Sequence, residues 1–202
     1  MATIPEKNIQ EIRCLYESGN TAKQIGAKLH YPLNAVYYAM RRYKIARRTG
    51  RVSAALRFAQ KELSFRVPEV LTSTQQKLQL LGVTLYWAEG YKTEKSKGID
   101  FANSDPAMVT LFLRFLREVC YVDEPRIRVL LYSHDAQKAP EQLRHWSTLL
   151  NIPIQNFSKP YIATTHQKLE KKQKMPYGLV HLRYADKKLL LLVLDWIEEL
   201  KK

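Results

Sequence analysis

The chain has 202 residues, 46% of them hydrophobic, and a formal net charge of +14 at pH 7. This length accommodates one large domain or two small ones with hydrophobic cores, and the positive charge favours a polyanionic partner such as nucleic acid. The two cysteines stand in unrelated contexts and support neither a disulfide framework nor a zinc site. We recognise no signal peptide, and the longest aliphatic run, Leu189 to Leu194, is too short to span a bilayer. We therefore expect a cytoplasmic, nucleoid-associated protein with no membrane partner.

The apolar residues and helix-end signals within residues 1–50 are spaced as in three short helices. Apolar residues recur at helical intervals from Ile9, and Gly19-Asn20 ends the first helix. Thr21 is a natural N-cap for the second helix, and Pro32 suits the first turn of the third. A helix, a short helix, a tight turn and a further helix together form the helix-turn-helix arrangement.

The stretch from Gly19 to Arg48 resembles the homeodomain-like helix-turn-helix of resolvases and sigma factors. This sequence differs from the family at Pro32, where the family usually has Ser or Thr. Its matching segments are Thr21-Ala22-Lys23-Gln24-Ile25-Gly26-Ala27-Lys28-Leu29, then Val36-Tyr37, then the basic tail Ile45-Ala46-Arg47-Arg48.

The predicted third helix carries side chains suited to DNA on one face. Asn34, Tyr38 and Arg41 lie at i, i+4 and i+7, on the face opposite Val36 and Met40, and these residue types suit base edges and phosphates. Positive charge continues past the helix end, as in an arm that follows phosphates. We favour DNA binding over the alternative, a plain three-helix bundle with a solvated basic face. The predicted DNA-binding residues here are Asn34, Tyr37, Tyr38, Arg41, Arg42, Arg47 and Arg48.

Residues 51–71 predict a basic linker helix that ends before Pro68. Arg57, Lys61 and Arg66 line this helix. Two interpretations are equally open: the helix touches the DNA backbone, or it is a solvated linker.

Residues 72–202 alternate between helical and strand patterns, which predicts an α+β domain. Thr72 and Gln75 have the spacing of a capping box, and the helix that follows runs to Glu89-Gly90 with an apolar face of Leu78, Leu81, Leu85 and Ala88. The later predicted elements are a strand at 98–102, a helix from Pro106, a strand at 126–132, a helix from Pro140, a long connection at 151–176, a strand at 178–184 and a helix from Asp186 to Leu200.

The run Gly82-Val83-Thr84-Leu85-Tyr86-Trp87-Ala88-Glu89-Gly90 ends an apolar helix with one acid followed at once by glycine. An acid there is costly to bury unless a metal, a hydrogen bond or a cation compensates it. With the order of elements over residues 72–200, the run resembles the LAGLIDADG homing-endonuclease family. Thr84 stands where that family's first internal glycine usually sits, and Trp87 replaces the first of its two acids. Asn103-Ser104-Asp105-Pro106 with its aromatic-rich helix also resembles members in which a helix-turn-helix precedes this domain.

The resemblance implies a DNA-facing saddle of β-strands and signature helices that pack in pairs. Because the chain has one motif, it implies a homodimer on a roughly two-fold DNA site. Glu89 is then the metal-binding acid and Gly90 the closing glycine. Thr84 and Ala88 are small residues four apart, which lets two helix backbones approach closely. The predicted dimer seam is Gly82, Thr84, Leu85 and Ala88.

Two carboxylates at one seam are tolerable only with a cation between them or with a shifted pKa, and Mg²⁺ is the natural cation. Such a metal can activate water for phosphodiester hydrolysis. Glu89 is therefore the predicted metal ligand and catalytic acid, with Lys92 and Lys97 as neutralisers of the scissile phosphate. The alternatives are a helix-end acid that hydrogen-bonds locally, or a relic of an active site in a binding protein, with the lysines as exposed turn residues.

Further basic residues lie where a DNA saddle would use them. The predicted strand faces carry Arg126, Arg128, His181 and Arg183. Two interpretations are equally open: these side chains contact DNA, or they lie on a polar sheet face that is exposed to solvent. A basic loop gains affinity by releasing counterions from the phosphates. The lysines of the long connection predicted to do this are Lys159, Lys168, Lys171, Lys172 and Lys174.

Two functional hypotheses remain for this chain, and in both of them it binds double-stranded DNA as a homodimer. One is a DNA-binding regulator derived from a homing endonuclease, which the preceding helix-turn-helix and the imperfect motif favour. The other is an active Mg²⁺-dependent endonuclease, which the retained Glu89-Gly90 keeps open. An RNA-binding or scaffold protein is disfavoured by the face of the third helix.

Overall fold

The computed structural model describes residues 4–93, 95–163 and 175–202. The chain has an α+β fold and divides into two units, residues 1–62 and 63–202. Each unit has its own cluster of buried hydrophobic residues. No helix within the described ranges is long and apolar enough to cross a membrane.

The first unit is helical, and local capping signals set where its helices begin. The Thr21 hydroxyl accepts from the Gln24 N–H while the Gln24 side chain accepts from the Thr21 N–H, which confirms the predicted cap as a full capping box. Ile12, Ile25 and Val36 are completely buried between the helices. The helices are α1 (Ile9–Glu17), α2 (Ala22–Leu29), α3 (Leu33–Arg42) and α4 (Gly50–Gln60).

Two predicted boundaries in this region are wrong. Pro32 is the N-cap of α3 and does not lie in its first turn. The linker helix predicted over 51–71 ends at Gln60. In the segment that follows, the Arg66 N–H donates to the Cys120 carbonyl at 3.0 Å. Main-chain hydrogen bonds to distant residues therefore take the place of helical ones there.

The second unit alternates helices with strands, as its sequence predicts. The capping box at Thr72 and Gln75 is formed, and the Asp105 carboxylate caps the next helix by accepting from the N–H groups of Ala107 and Met108. Its elements are α5 (Ser73–Glu89), β1 (Ile99–Asn103), α6 (Pro106–Glu118), β2 (Ile127–Ser133), α7 (Ala139–Leu150), β3 (Tyr161–Ile162), β4 (Leu179–Tyr184) and α8 (Lys187–Leu200).

Within the part of the chain that the structure describes, four strands form one sheet in the order β1-β4-β2-β3. β4 is antiparallel to β1 and β2, and β3 is parallel to β2. Phe101, Val129 and Leu182 point into the core and are fully buried. Since side chains alternate along a strand, the residues between them lie on the opposite face. This outward sheet face consists of Asp100, Ala102, Arg128, Leu130, Tyr132, Tyr161, Leu179, His181 and Arg183.

Two further predictions need correction. β3 lies inside the long connection predicted at 151–176, and a two-residue strand is too short to show alternation. The buried face of α5 is Leu78, Gly82, Val83 and Tyr86, whereas Leu81 and Ala88 are exposed. Leucines occur on several sides of this helix, so its hydrophobic pattern does not define a single inward face.

Candidate nucleic-acid interface

The helix α3 has one buried and one exposed face. Ala35, Val36, Ala39 and Met40 are buried, while Tyr37 is 42% exposed. The helical period of 3.6 residues separates the two sets. The exposed side chains of the opposite face include five of the predicted DNA-binding residues, namely Asn34, Tyr37, Tyr38, Arg41 and Arg42.

Aromatic and guanidinium groups contact each other on this exposed face. The Arg47 Cζ lies 5.4 Å from the centroid of the Tyr37 ring, within range of a cation–π interaction. A hydrogen bond with Tyr38 raises the pKa of Arg42. Both guanidinium groups therefore lie at the surface beside phenol rings that can pack on bases or sugars.

Arg48 does not belong to this exposed surface. Its Cζ lies 4.1 Å from the centroid of the Tyr16 ring, and its guanidinium donates to the Asn20 carbonyl. Burial opposes ionisation of the Tyr16 hydroxyl, but the hydrogen bonds from Arg48 outweigh it, so the pKa of Tyr16 is lowered. Arg48 ties the chain after α3 back onto α1 and is half-buried, and its contact with phosphates stays a prediction.

The end of α5 presents Glu89 to solvent beside a fixed cation. The Lys92 Nζ donates to the carbonyl oxygens of Gly90 at 2.7 Å, Trp87 at 2.9 Å and Tyr86 at 3.3 Å. Cations at a helix C-terminus offset the negative end of the helix dipole. Lys92 therefore stabilises the end of α5 with all three of its N–H donors, a role that the sequence analysis did not anticipate.

A buried tyrosine holds the turn after α5 in place. The Tyr86 hydroxyl donates to the Tyr91 carbonyl at 2.8 Å. Burial raises the pKa of Tyr86 to about 12, so the hydroxyl keeps its proton and remains a donor at neutral pH. The Tyr91 N–H in turn donates to the Asp100 carbonyl at 2.9 Å, which attaches the turn to β1.

Within the described residues of one chain, Glu89 has no neighbouring carboxylate, histidine or cysteine cluster with which to hold Mg²⁺. Glu89 is exposed, and the described part of the chain contains no group of three or more His, Cys, Asp or Glu side chains able to hold a metal. The Lys92 ammonium next to this helix end repels a second cation. Lys97 is exposed in the same turn. A metal site of the predicted kind would need Glu89 of a second copy.

An apolar stripe runs along the exposed side of α5. Leu81 is 48% exposed, Thr84 and Ala88 are exposed, and Leu85 is half-buried. Spacings of three and four residues place these four side chains on one side of the helix. Three of them are predicted seam residues, and the stripe is apolar apart from the Thr84 hydroxyl, which donates to the Leu80 carbonyl within the helix. We call these four residues the α5 stripe.

Gly82, the fourth predicted seam residue, faces the interior of its own chain. A Cβ built on Gly82 would lie 2.2 Å from Cγ and 2.6 Å from Cβ of Phe115 in α6. Glycine is therefore needed for α5 and α6 to approach each other. The assignment of Gly82 to the dimer seam is corrected accordingly.

A carboxylate on the outward sheet face connects a histidine and an arginine. The Asp100 Oδ1 lies 2.8 Å from the His181 Nδ1, and the Arg183 Nε donates to the Asp100 Oδ2 at 2.9 Å. The strand register explains this contact, because Arg183 of β4 lies between Asp100 of β1 and Arg128 of β2. The structure thus brings two predicted DNA-binding residues, His181 and Arg183, onto Asp100, which was not predicted.

Four aromatic rings cross the same face. The ring centroids of Tyr91 and His181 are 5.6 Å apart, those of His181 and Tyr132 4.8 Å, and those of Tyr132 and Tyr161 4.8 Å. Aromatic rings next to cations are a combination that nucleic-acid-binding surfaces use. Strand alternation places Tyr132 on this face, but the approach of Tyr91 and Tyr161 depends on strand order, which local pattern does not encode.

The other predicted basic residues are scattered. Arg126 precedes β2 and donates to the Ala185 carbonyl at 2.8 Å, so it lies at the end of the sheet and not on its outward face. Arg128 is exposed on that face and donates to the carbonyls of Pro125 and Ile127. Lys159 is exposed. The predicted phosphate contacts that fall outside the described residues are Lys168, Lys171, Lys172 and Lys174.

The chain matches no family model, no curated protein and no solved structure. The geometry of α3, the α5 stripe and the outward sheet face therefore carries the functional inference.

Proposed function

We propose that the chain is a sequence-specific double-stranded DNA-binding protein that acts as a homodimer and regulates transcription. The observation that carries this proposal is the exposed face of α3. An amide, two phenols and two guanidinium groups share that face, and each can bond to base edges or phosphates. In this proposal α1 to α3 form a helix-turn-helix module and α3 is its recognition helix.

The second unit supplies a further surface for the same DNA. Its outward sheet face carries Arg128 and Arg183 beside Tyr132 and His181, as expected if residues 72–200 form a LAGLIDADG-like saddle. The formal net charge of +14 supports a polyanionic partner for both surfaces.

Selection from a random duplex library tests the proposal. We expect one preferred site with approximate two-fold symmetry, bound with a dissociation constant on the order of 10 nM at physiological salt. Affinity should fall steeply as salt increases, because phosphate contacts release counterions. Equal affinity for all duplexes would show that the chain is not sequence-specific.

The α5 stripe is the proposed dimer interface. Leu81→Arg places a charge in this stripe, so we expect a monomer on the selected site and about 100-fold weaker binding, since a dimer gains avidity from two half-sites. Sizing and affinity on the same duplex measure both effects. Leu149→Arg is the matched control, because Leu149 is similarly exposed, at 40%, on α7. An L81R protein that remains dimeric would place the interface elsewhere.

An active endonuclease is the second candidate, favoured by the exposure of Glu89 at the end of the stripe-bearing helix. Supercoiled DNA carrying the selected site is incubated with Mg²⁺ or Mn²⁺ and with wild type or Glu89→Gln. For the regulator we expect tight binding and no nicking by either protein. Cleavage by the wild type that disappears in E89Q would establish the endonuclease instead.

A further inference from the structure

Arg183 is held in a fixed orientation on the outward sheet face. Its Nε donates to the Asp100 Oδ2 at 2.9 Å, and its side chain is 38% exposed. In a planar guanidinium, Nε shares a side edge with one terminal nitrogen, whereas Nη1 and Nη2 together form the end-on edge, which a single contact through Nε does not use. The geometry therefore leaves the end-on edge of Arg183 available for a ligand beyond the sheet.

The carboxylate that holds Arg183 is itself fixed. Asp100 Oδ1 contacts the His181 Nδ1 at 2.8 Å, and the His181 side chain is only 7% exposed. The ring of His181 packs against Tyr91 and Tyr132, at 5.6 and 4.8 Å between centroids. Asp100 thus contacts one residue through each oxygen and has little freedom to rotate.

The end-on edge of a guanidinium matches one base edge in duplex DNA. Nη1 and Nη2 can donate together to O6 and N7 of guanine in the major groove, and a two-stranded ribbon fits that groove. Adenine presents an amino group in place of O6, and cytosine and thymine lack N7, so the same edge discriminates against them. A preoriented arginine loses less conformational entropy when it binds.

We infer that Arg183 reads a guanine in each half-site, with Asp100 and His181 as positioning residues. This inference rests on the proposed binding of duplex DNA and names the base that the sheet face recognises. Arg128 provides the contrast. It lies opposite Arg183 in the register, but its guanidinium folds back onto the carbonyls of Pro125 and Ile127. Because Nη1 of Arg128 is used in these bonds, its two terminal nitrogens are not both free to donate to one base.

The test uses the full chain and the duplex obtained by selection. At each selected guanine, the base is replaced by 7-deazaguanine, which lacks the N7 acceptor, or by adenine with the complementary base changed to thymine. We expect one guanine per half-site at which these changes weaken wild-type binding by about 10- to 100-fold. In the Arg183→Ala variant, replacing that guanine should change the affinity by no more than about twofold. Replacing the other selected guanines should weaken its binding as much as it weakens wild-type binding.

Three variants separate base reading from charge and structure. Arg183→Lys keeps the charge but loses the two-nitrogen edge, so it should bind DNA with reduced guanine discrimination. Asp100→Asn should reduce the ratio of guanine to 7-deazaguanine affinity, a readout that general destabilisation does not move. Arg128→Ala should weaken binding equally to all bases. Thermal melting confirms that each variant is folded.

The outcomes distinguish this inference from the proposed function. If no duplex is selected, DNA binding itself fails. If a site is selected but R183A weakens binding equally for guanine, 7-deazaguanine and adenine, Arg183 is a phosphate contact and the inference is overturned. The inference is supported if the affinity of R183A no longer depends on one guanine per half-site but still depends on the other selected bases.

Discussion

Replacing Gly82 by alanine is expected to lower the free energy of unfolding of the second unit by about 1 to 2 kcal/mol, because overpacking at so close a contact costs about 2 to 3 kcal/mol and alanine offsets about 1 kcal/mol of it as the better helix former. The new Cβ would lie 2.2 Å from Cγ and 2.6 Å from Cβ of Phe115. The Phe115 Cβ is fixed to the backbone of α6, so the two helices must separate. The overpacking cost exceeds the roughly 1 kcal/mol by which alanine favours a helix over glycine.

Urea denaturation followed by tryptophan fluorescence measures this effect in the relevant part of the chain. Trp87, Trp146 and Trp196, all three tryptophans, lie within residues 63–202. Gly50→Ala is the matched control, because nothing lies within 4 Å of a Cβ built at Gly50, and its fluorescence transition should not move. A G82A transition at the wild-type urea concentration would show that α5 and α6 can separate at little cost.

The second large effect is expected on DNA affinity. Replacing Tyr38 and Arg41 together by alanine should weaken binding to the selected duplex by about 100-fold, since each base-edge contact contributes about 1–3 kcal/mol. Both side chains are exposed on α3, so the melting temperature should change little. Fluorescence anisotropy at one fixed salt concentration measures the affinity, because binding to phosphates is strongly salt-dependent.

A variant in the second unit with the same loss of charge controls for net charge. Arg114→Ala removes a positive charge from the exposed side of α6, where Arg114 pairs with Glu118 at 2.8 Å. Exposed ion pairs contribute little to stability, so R114A should retain folding and nearly all DNA affinity. If Y38A/R41A binds the selected duplex as tightly as R114A, α3 is not the recognition helix.

The division of α3 into one buried and one exposed face could be predicted from residues close together in sequence. Val36 and Met40 are buried, and Asn34, Tyr38 and Arg41 are exposed. A short amphipathic helix with polar residues on one side has a single way to bury its apolar side. The helix caps at Thr21 and Thr72 are likewise local, because a cap depends on residues three positions apart.

The orientation of α5 could not be predicted in the same way. Leu78 and Leu81 both fit an apolar face, yet Leu78 is buried and Leu81 is exposed. The position of Gly82 against Phe115 decides between them, and that contact joins residues of two helices. Glu89 consequently lies in solvent, with Lys92 bonded to the helix end, whereas the sequence alone left open whether this acid needs a metal or another partner.

The sequence by itself determined the α+β class, the helix caps at Thr21 and Thr72 and the exposed face of α3, because these depend on spacings of a few residues along one helix or cap. Only the tertiary structure decided which residues meet at the outward sheet face. Asp100 and Arg183 are 83 positions apart and become neighbours through the pairing of β1 with β4. A shift of one residue in that register would turn the side chains to the other face. The contact that orients Arg183 is therefore a property of strand order and register, and no local pattern encodes either.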